Sequence, residues 1–132
     1  MAIGVAPHER AVAGARHTLR ETLASWGNGS EDDIGSAELV ASELLTNALR
    51  HASRHDIALT ASEAAGALLI EVEDGGSPVS APAVRRVVAD DAVCGRGLFI
   101  VNAVADMWSW RELPHGGRGT WALLSWPGEA AQ

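Results

Sequence analysis

From Pro7 to Trp26 apolar residues recur at helical spacing, with Ala11, Ala15, Leu19, Leu23 and Trp26 on one side. Pro7 can open that helix, and GNGS (Gly27 to Ser30) ends it. Glu31, Asp32 and Asp33 then stand where a second helix begins, and their charge suits its dipole. An apolar stripe of Ala37, Val40, Ala41, Leu44, Leu45 and Ala48 carries this helix to about His51 or Ala52. Next the period changes. DIALTA (Asp56 to Ala61) alternates like a strand, a turn follows at Ala64 to Gly66, and LLIEVED (Leu68 to Asp74) reads as a second strand paired with the first.

The segment from Gly75 to Cys94 is irregular, with a short helical stretch around Ala83 to Ala89. A glycine-rich turn leads into an apolar helix from about Leu98 to Asp106, and MWSWREL, a PHGGRG turn and TWALLSW make a closing hairpin. Strands in adjacent pairs predict an α+β fold: a two-layer sandwich of a mostly antiparallel mixed sheet with helices on one face. Trp108, Trp110, Trp121 and Trp126 alternate along the last strands, which suits core packing, with an exposed subset as an alternative partner surface.

Composition narrows the function classes. The 132 residues suit one domain, 1–132, with 47% hydrophobic and 20% charged residues, a globular balance. A net charge of −7 argues against binding phosphate backbones, so no direct nucleic-acid contact is expected. Every basic residue is arginine; without lysine there is no P-loop and no side-chain Schiff base. The single Cys94 leaves no internal disulfide and no cysteine cluster for zinc, which fits a reducing, cytoplasmic setting. The stretch MAIGVAPHER does not read as a signal peptide, and no apolar run approaches ~18 residues, so no membrane association is expected.

Four segments could carry chemistry. In SELLTNALRHA, Glu43 and Asn47 lie one turn apart at the border of the apolar stripe. A carboxylate there can act as a base, and an amide oxygen is a hard ligand suited to Mg²⁺; the same pair would equally suit a solvated helix edge. In VEDGG, Asp74 ends an apolar strand, where it can accept from an exocyclic amine or simply form an Asp-Gly turn. In CGRGLFIV, Gly95, Arg96 and Gly97 precede a helix whose free N–H groups can bind phosphate, or they form a tight loop. In GGRGTW, the glycines read as a hairpin turn, and Thr120 opens the strand with a hydroxyl a phosphate could use.

The ordered set of E-x-x-x-N on a helix, D-x-G after a strand, G-x-G-L before a helix and G-x-G-T into a last strand resembles the boxes of the GHKL (Bergerat-fold) ATP-binding superfamily. That superfamily includes gyrase and histidine-kinase catalytic domains. SELLTNALRHA and GRGLFIVNAVADMW look most like the small bacterial anti-sigma-factor kinases and their actinobacterial relatives, over about Ala11 to Trp126. The resemblance implies ATP and Mg²⁺ as cofactors. Asn47 would ligate the metal and Glu43 would be the catalytic base. Asp74 would accept from the adenine amino group, with Gly76 making room for the ring. Gly95, Arg96, Gly97 and Leu98 would hold phosphate, and Thr120 would sit at the adenine end of the last strand. His51 would pack or cap, and His8, His17, His55 and His115 read as surface residues.

The resemblance also implies partners: a sigma factor, an anti-anti-sigma (STAS-type) protein and, as one open arrangement, a second copy of the chain. Two departures set further expectations. Only Met1 to Ala6 precede the first helix, so the family's edge strand is short or missing, and twenty residues, Gly75 to Cys94, leave room for a small ATP lid only. Three functions stay open: a serine/threonine kinase acting on an anti-anti-sigma protein, a non-catalytic module that sequesters a regulator under ATP control, and a scaffold whose glycines serve only as turns.

Overall fold

The computed structural model describes residues 1–51, 56–75, 95–114 and 116–127. In chain order the elements are β1 (Ala2–Val5), α1 (Glu9–Trp26), α2 (Glu31–His51), β2 (Ile57–Ala64), β3 (Ala67–Asp74), α3 (Gly95–Val104), β4 (Met107–Glu112) and β5 (Arg118–Ser125). The expected α+β layering is present. Five strands form one sheet in the order β1-β2-β3-β5-β4, and all four pairings are antiparallel.

α1 and α2 begin where the sequence supplies a cap. His8, expected as a plain surface residue, is exposed but caps α1, its Nδ1 accepting from the Ala11 N–H at 3.2 Å. Gly27 ends α1 with φ 79°, a left-handed conformation that a Cβ would disfavour. Ser30 and Asp33 cap α2 reciprocally: Asp33 N–H donates to Ser30 Oγ at 3.1 Å, and Asp33 Oδ2 accepts from Ser30 N–H at 3.0 Å. The β2–β3 hairpin turns through Ala65 (φ 39°) and Gly66 (φ 85°), the successive positive angles that match the twist of paired strands.

Register fixes the two faces of the sheet. On one face Leu59, Val72, Thr120 and Trp110 stand side by side, then Ala61, Ile70, Ala122 and Trp108, all buried under the helices. On the other face Leu69, Leu123 and Met107 form one row and Glu71, Trp121 and Ser109 the next, all at least partly exposed. The tryptophans therefore divide: Trp108, Trp110 and Trp126 are buried, and Trp121 stands half-buried on the open face. α2 is the middle helix. Ile34, Ala37, Val40, Ala41, Leu44, Leu45 and Ala48 bury its stripe against the sheet, α1 flanks it towards β1, and α3 packs against it and against β4.

Several boundaries differ from the sequence pattern, and one concerns a candidate residue: β5 opens at Arg118, so Thr120 stands inside the strand and does not open it. β1 is the short edge strand that the sequence left room for, four residues paired with β2. β2 runs on to Ala64, because the ladder to β3 continues through Ser62 and Glu63 where hydrophobic alternation fades. α3 begins at Gly95, ahead of Leu98, so the two glycines lie inside its first turn although they favour helix weakly. The short helix expected at Ala83 to Ala89 lies outside the described residues.

Candidate functional site

One end of the sheet gathers the candidate residues, and topology explains how. Asp74 closes β3 opposite Arg118 at the start of β5, and Arg118 stands opposite Glu112 at the end of β4. The chain leaving α2 enters β2 at Ile57, beside this same end, since Ala58 pairs with Glu73. The last turns of α2 therefore lie here. β4 begins at Met107 opposite Leu123, towards the far end, and α3 stops only three residues earlier at Val104. The N-terminus of α3 consequently returns to the Asp74 end. A helix C-terminal half, a helix N-terminus, a strand end and a hairpin turn meet there.

Glu43 and Asn47 are half-buried on α2, about 6 Å apart along its axis. They occupy the flank turned away from α1, which holds the other side: Arg20 Nη1 donates to Glu38 Oε1 at 2.7 Å and pairs with Glu31, and Arg16 Nη1 donates to Ser42 Oγ at 3.5 Å. Neither Glu43 nor Asn47 bonds another side chain among the described residues. A carboxylate and a carboxamide thus border the core, with no side-chain partner among the described residues.

Asp74 is 5% exposed and Thr120 6%. They are the only buried polar side chains among the described residues. Asp74 continues the inward series Leu68, Ile70, Val72, so strand alternation alone turns its carboxylate under the helices. Thr120 stands between Val72 and Trp110 on the same face. Arg118, half-buried between Asp74 and Glu112 in register, places its guanidinium 5.8 Å from the centre of the Trp110 ring, a cation–π distance.

Gly117 touches the site directly. A Cβ on it would overlap the Asp74 carbonyl oxygen and would sit 3.2 Å from the Gly75 carbonyl carbon. The sequence pattern predicts only a turn role for Gly117, and its one visible signal is a second glycine directly after Gly116. Gly119 serves elsewhere: on the open face a Cβ there would meet Glu71 Oε2 at 2.6 Å. Glu71 accepts from Arg111 Nε at 2.8 Å, and Glu73 accepts from Arg111 Nη2 at 3.2 Å. The hydrogen bond with Glu71 and then its charge raise the Arg111 pKa above its ordinary value, with a lesser push from Glu73.

The remaining assignments are placed in part. Gly95, Arg96, Gly97 and Leu98 form the first turn of α3, where backbone N–H groups lack intrahelical partners; the side chains of residues 95–99 lie outside the described part. Gly76 also lies outside it, as do His55, His115 and the side chain of His51. No group of three or more His, Cys, Asp or Glu able to hold a metal exists among the described residues. A metal here would depend on the Asn47 amide oxygen together with a ligand's own oxygens, which is how Mg²⁺ is commonly held beside phosphates. No helix among the described residues is long and apolar enough to cross a membrane.

Comparison with known proteins fits this geometry. The model of a family described as the histidine kinase-like ATPase domain matches residues 5–126. Among solved structures, the chain is similar to the Acinetobacter baumannii histidine kinase AdeS, with a TM-score of 0.52 and 16% identity over 95% of this chain and 67% of that one. At that identity the likeness shows the fold. Among curated proteins none matches the chain.

Proposed function

The chain belongs to the histidine kinase-like ATPase domain family, and on that premise we propose that it is an anti-sigma factor with serine/threonine kinase activity toward an anti-anti-sigma (STAS-type) partner. Family membership supports the coarser statement, an ATP-binding regulatory function. The observation that carries the reading is the buried Asp74 carboxylate on the helix-covered face, at the end where the last turns of α2 and the first turn of α3 converge.

In this reading each residue has one task. Asp74 accepts from the amino group of adenine, and Gly76 leaves room for the ring. Asn47 would hold Mg²⁺ through its amide oxygen. The N–H groups of Gly95, Arg96, Gly97 and Leu98 donate to phosphate oxygens, and the Arg96 charge assists. Thr120 lines the buried wall beside Val72. Glu43 accepts the proton of the partner's attacking hydroxyl. Bound Mg²⁺–ATP supplies the transferable phosphoryl group and offsets its charge. The protein's contribution is to position and to stabilise charge.

The test has two stages. Calorimetric titration with ATP and ADP, with and without Mg²⁺, should show Mg²⁺-dependent binding that Asn47→Ala weakens; no binding under any condition would remove the nucleotide reading. Labelled ATP plus a STAS-type partner should then yield phosphoserine or phosphothreonine, and a Glu43→Ala variant that transfers at the wild-type rate would sink the assigned base. A second reading, an ATP-responsive module that sequesters a sigma factor without transferring phosphate, draws support from the brevity of the segment between Asp74 and Gly95. Partner affinity that changes with ATP while no phosphate moves would favour it, because ligand control requires different affinities for two states.

A further inference from the structure

We infer that Gly117 is a positioning residue for base recognition: the β4–β5 turn bears on the Asp74–Gly75 peptide and sets where the Asp74 carboxylate sits. The inference rests on the reading of Asp74 as the acceptor for an amino-purine.

Gly117 differs from the other glycines of the fold. Gly27, Gly66 and Gly116 have φ of 79°, 85° and 100°, so their need is conformational. Gly4, Gly14 and Gly35 face open space. Gly117 is buried, has no positive φ, and excludes a side chain only because the Asp74 carbonyl lies against it. Atoms of the Asp74–Gly75 backbone, and no flexible side-chain end, would meet the added methyl.

Its surroundings leave little room to yield. The Gly117 carbonyl accepts from the Leu113 N–H at 2.8 Å, and Gly116 N–H donates to the Leu113 carbonyl at 3.0 Å. Leu113 is itself buried, so the turn is anchored on the side away from Asp74. One residue later Arg118 pairs with Asp74 across the β3–β5 ladder. A methyl at 117 must therefore displace the Asp74–Gly75 peptide or break the turn's register with it, and either motion carries the carboxylate along. A hydrogen bond to a ligand amine tolerates only a few tenths of an ångström and modest misalignment. The last glycine box and the D-x-G box thus work as one mechanical unit, and the quantity that unit sets is the preference for a purine bearing an exocyclic amine.

The experiment compares ATP with inosine triphosphate, in which a carbonyl replaces that amine, on the full chain. Wild-type protein should prefer ATP by at least about tenfold, because a site built to accept from an N–H rejects an analogue lacking it. Gly117→Ala should bring the preference to within about twofold. Gly116→Ala strains the same turn without touching Asp74 and should keep the preference while melting earlier. If Gly117→Ala retains the wild-type preference, the inference is overturned while the ATP reading stands. If wild-type protein binds no nucleotide, the ATP reading fails and takes the inference with it.

Should Gly117→Ala fail to fold, amide exchange on wild-type protein decides. Saturating ATP should slow exchange of the Leu113 N–H, which bonds the Gly117 carbonyl, by about tenfold or more. Slowing confined to β3, with none at Leu113, would overturn the coupling.

Discussion

β3 carries three carboxylates within four residues, and they meet opposite fates. Glu71 and Glu73 point to the open face, where both pair with Arg111 in partial contact with water. Asp74 points under the helices and is almost wholly buried. Chemistry of the side chain does not separate them; strand parity does. On the open face the carboxylates are satisfied by a neighbouring strand and are spent on structure. On the covered face the carboxylate interrupts an apolar series, at the one end of the sheet where α2 and α3 also converge. A buried carboxylate at the end of an apolar series is the more informative observation, because such side chains are seldom buried in a core.

The comparison is broken most severely by adjacent residues of the same strand. Ile70 is fully buried and Leu69 is 37% exposed. Ile70→Ala should cost about 2–5 kcal/mol of unfolding free energy in denaturant titration, and Leu69→Ala less than about 1 kcal/mol. Equal losses would mean that the open face is covered in solution. The functional counterpart is next in size. Asp74→Leu should weaken ATP binding about a hundredfold in calorimetry. Glu73→Gln, one residue away on the other face, should leave ATP affinity within about twofold.

How much of this was legible in the sequence depended on whether the signal was local. The buried stripe of α2 and the alternation of Leu68 to Asp74 are periodic, so both elements stand where the pattern predicts. The start of α3 was misplaced because Gly95 and Gly97 are weak helix formers held in the helix by tertiary context. β1 leaves little trace because four residues including Gly4 carry almost no period. For the site, residue types and order pointed to Glu43, Asn47, Asp74 and Thr120, but their convergence at one sheet end follows from antiparallel connectivity and not from any single stretch. The role of Gly117 and the Arg111–Glu71 pair were invisible: a close backbone approach and a contact between residues 40 positions apart leave no periodic trace.

A smaller effect sharpens the reading of the covered face. Asn47→Ala should reduce ATP affinity about tenfold in the presence of Mg²⁺ and leave it nearly unchanged when the metal is chelated. A loss that is the same with and without metal would assign Asn47 to the nucleotide itself. Glu43→Ala, one turn earlier on the same flank, should leave both affinities near wild type if its task begins only with the partner's hydroxyl.

The smallest expected effect concerns the second glycine of the last box. Gly119 and Gly117 belong to one motif yet meet different neighbours, the Glu71 side chain and the Asp74–Gly75 backbone. A methyl at Gly119 overlaps the Glu71 carboxylate, the far end of a side chain that can turn away at the expense of its bonds to Arg111. Gly119→Ala should therefore lower thermal stability slightly, and mostly at low salt, because exposed ion pairs are weak and screened. Its ATP-to-inosine-triphosphate preference should match wild type. Arg111→Ala should reproduce the same small, salt-sensitive loss, and the double variant should lose no more than the larger single one, since both act through the Glu71 contact. A Gly119→Ala variant that instead lost base preference would show that strain in β5 reaches Asp74 whatever its entry point, and the division of the box between the Glu71 contact and the Asp74 contact would collapse.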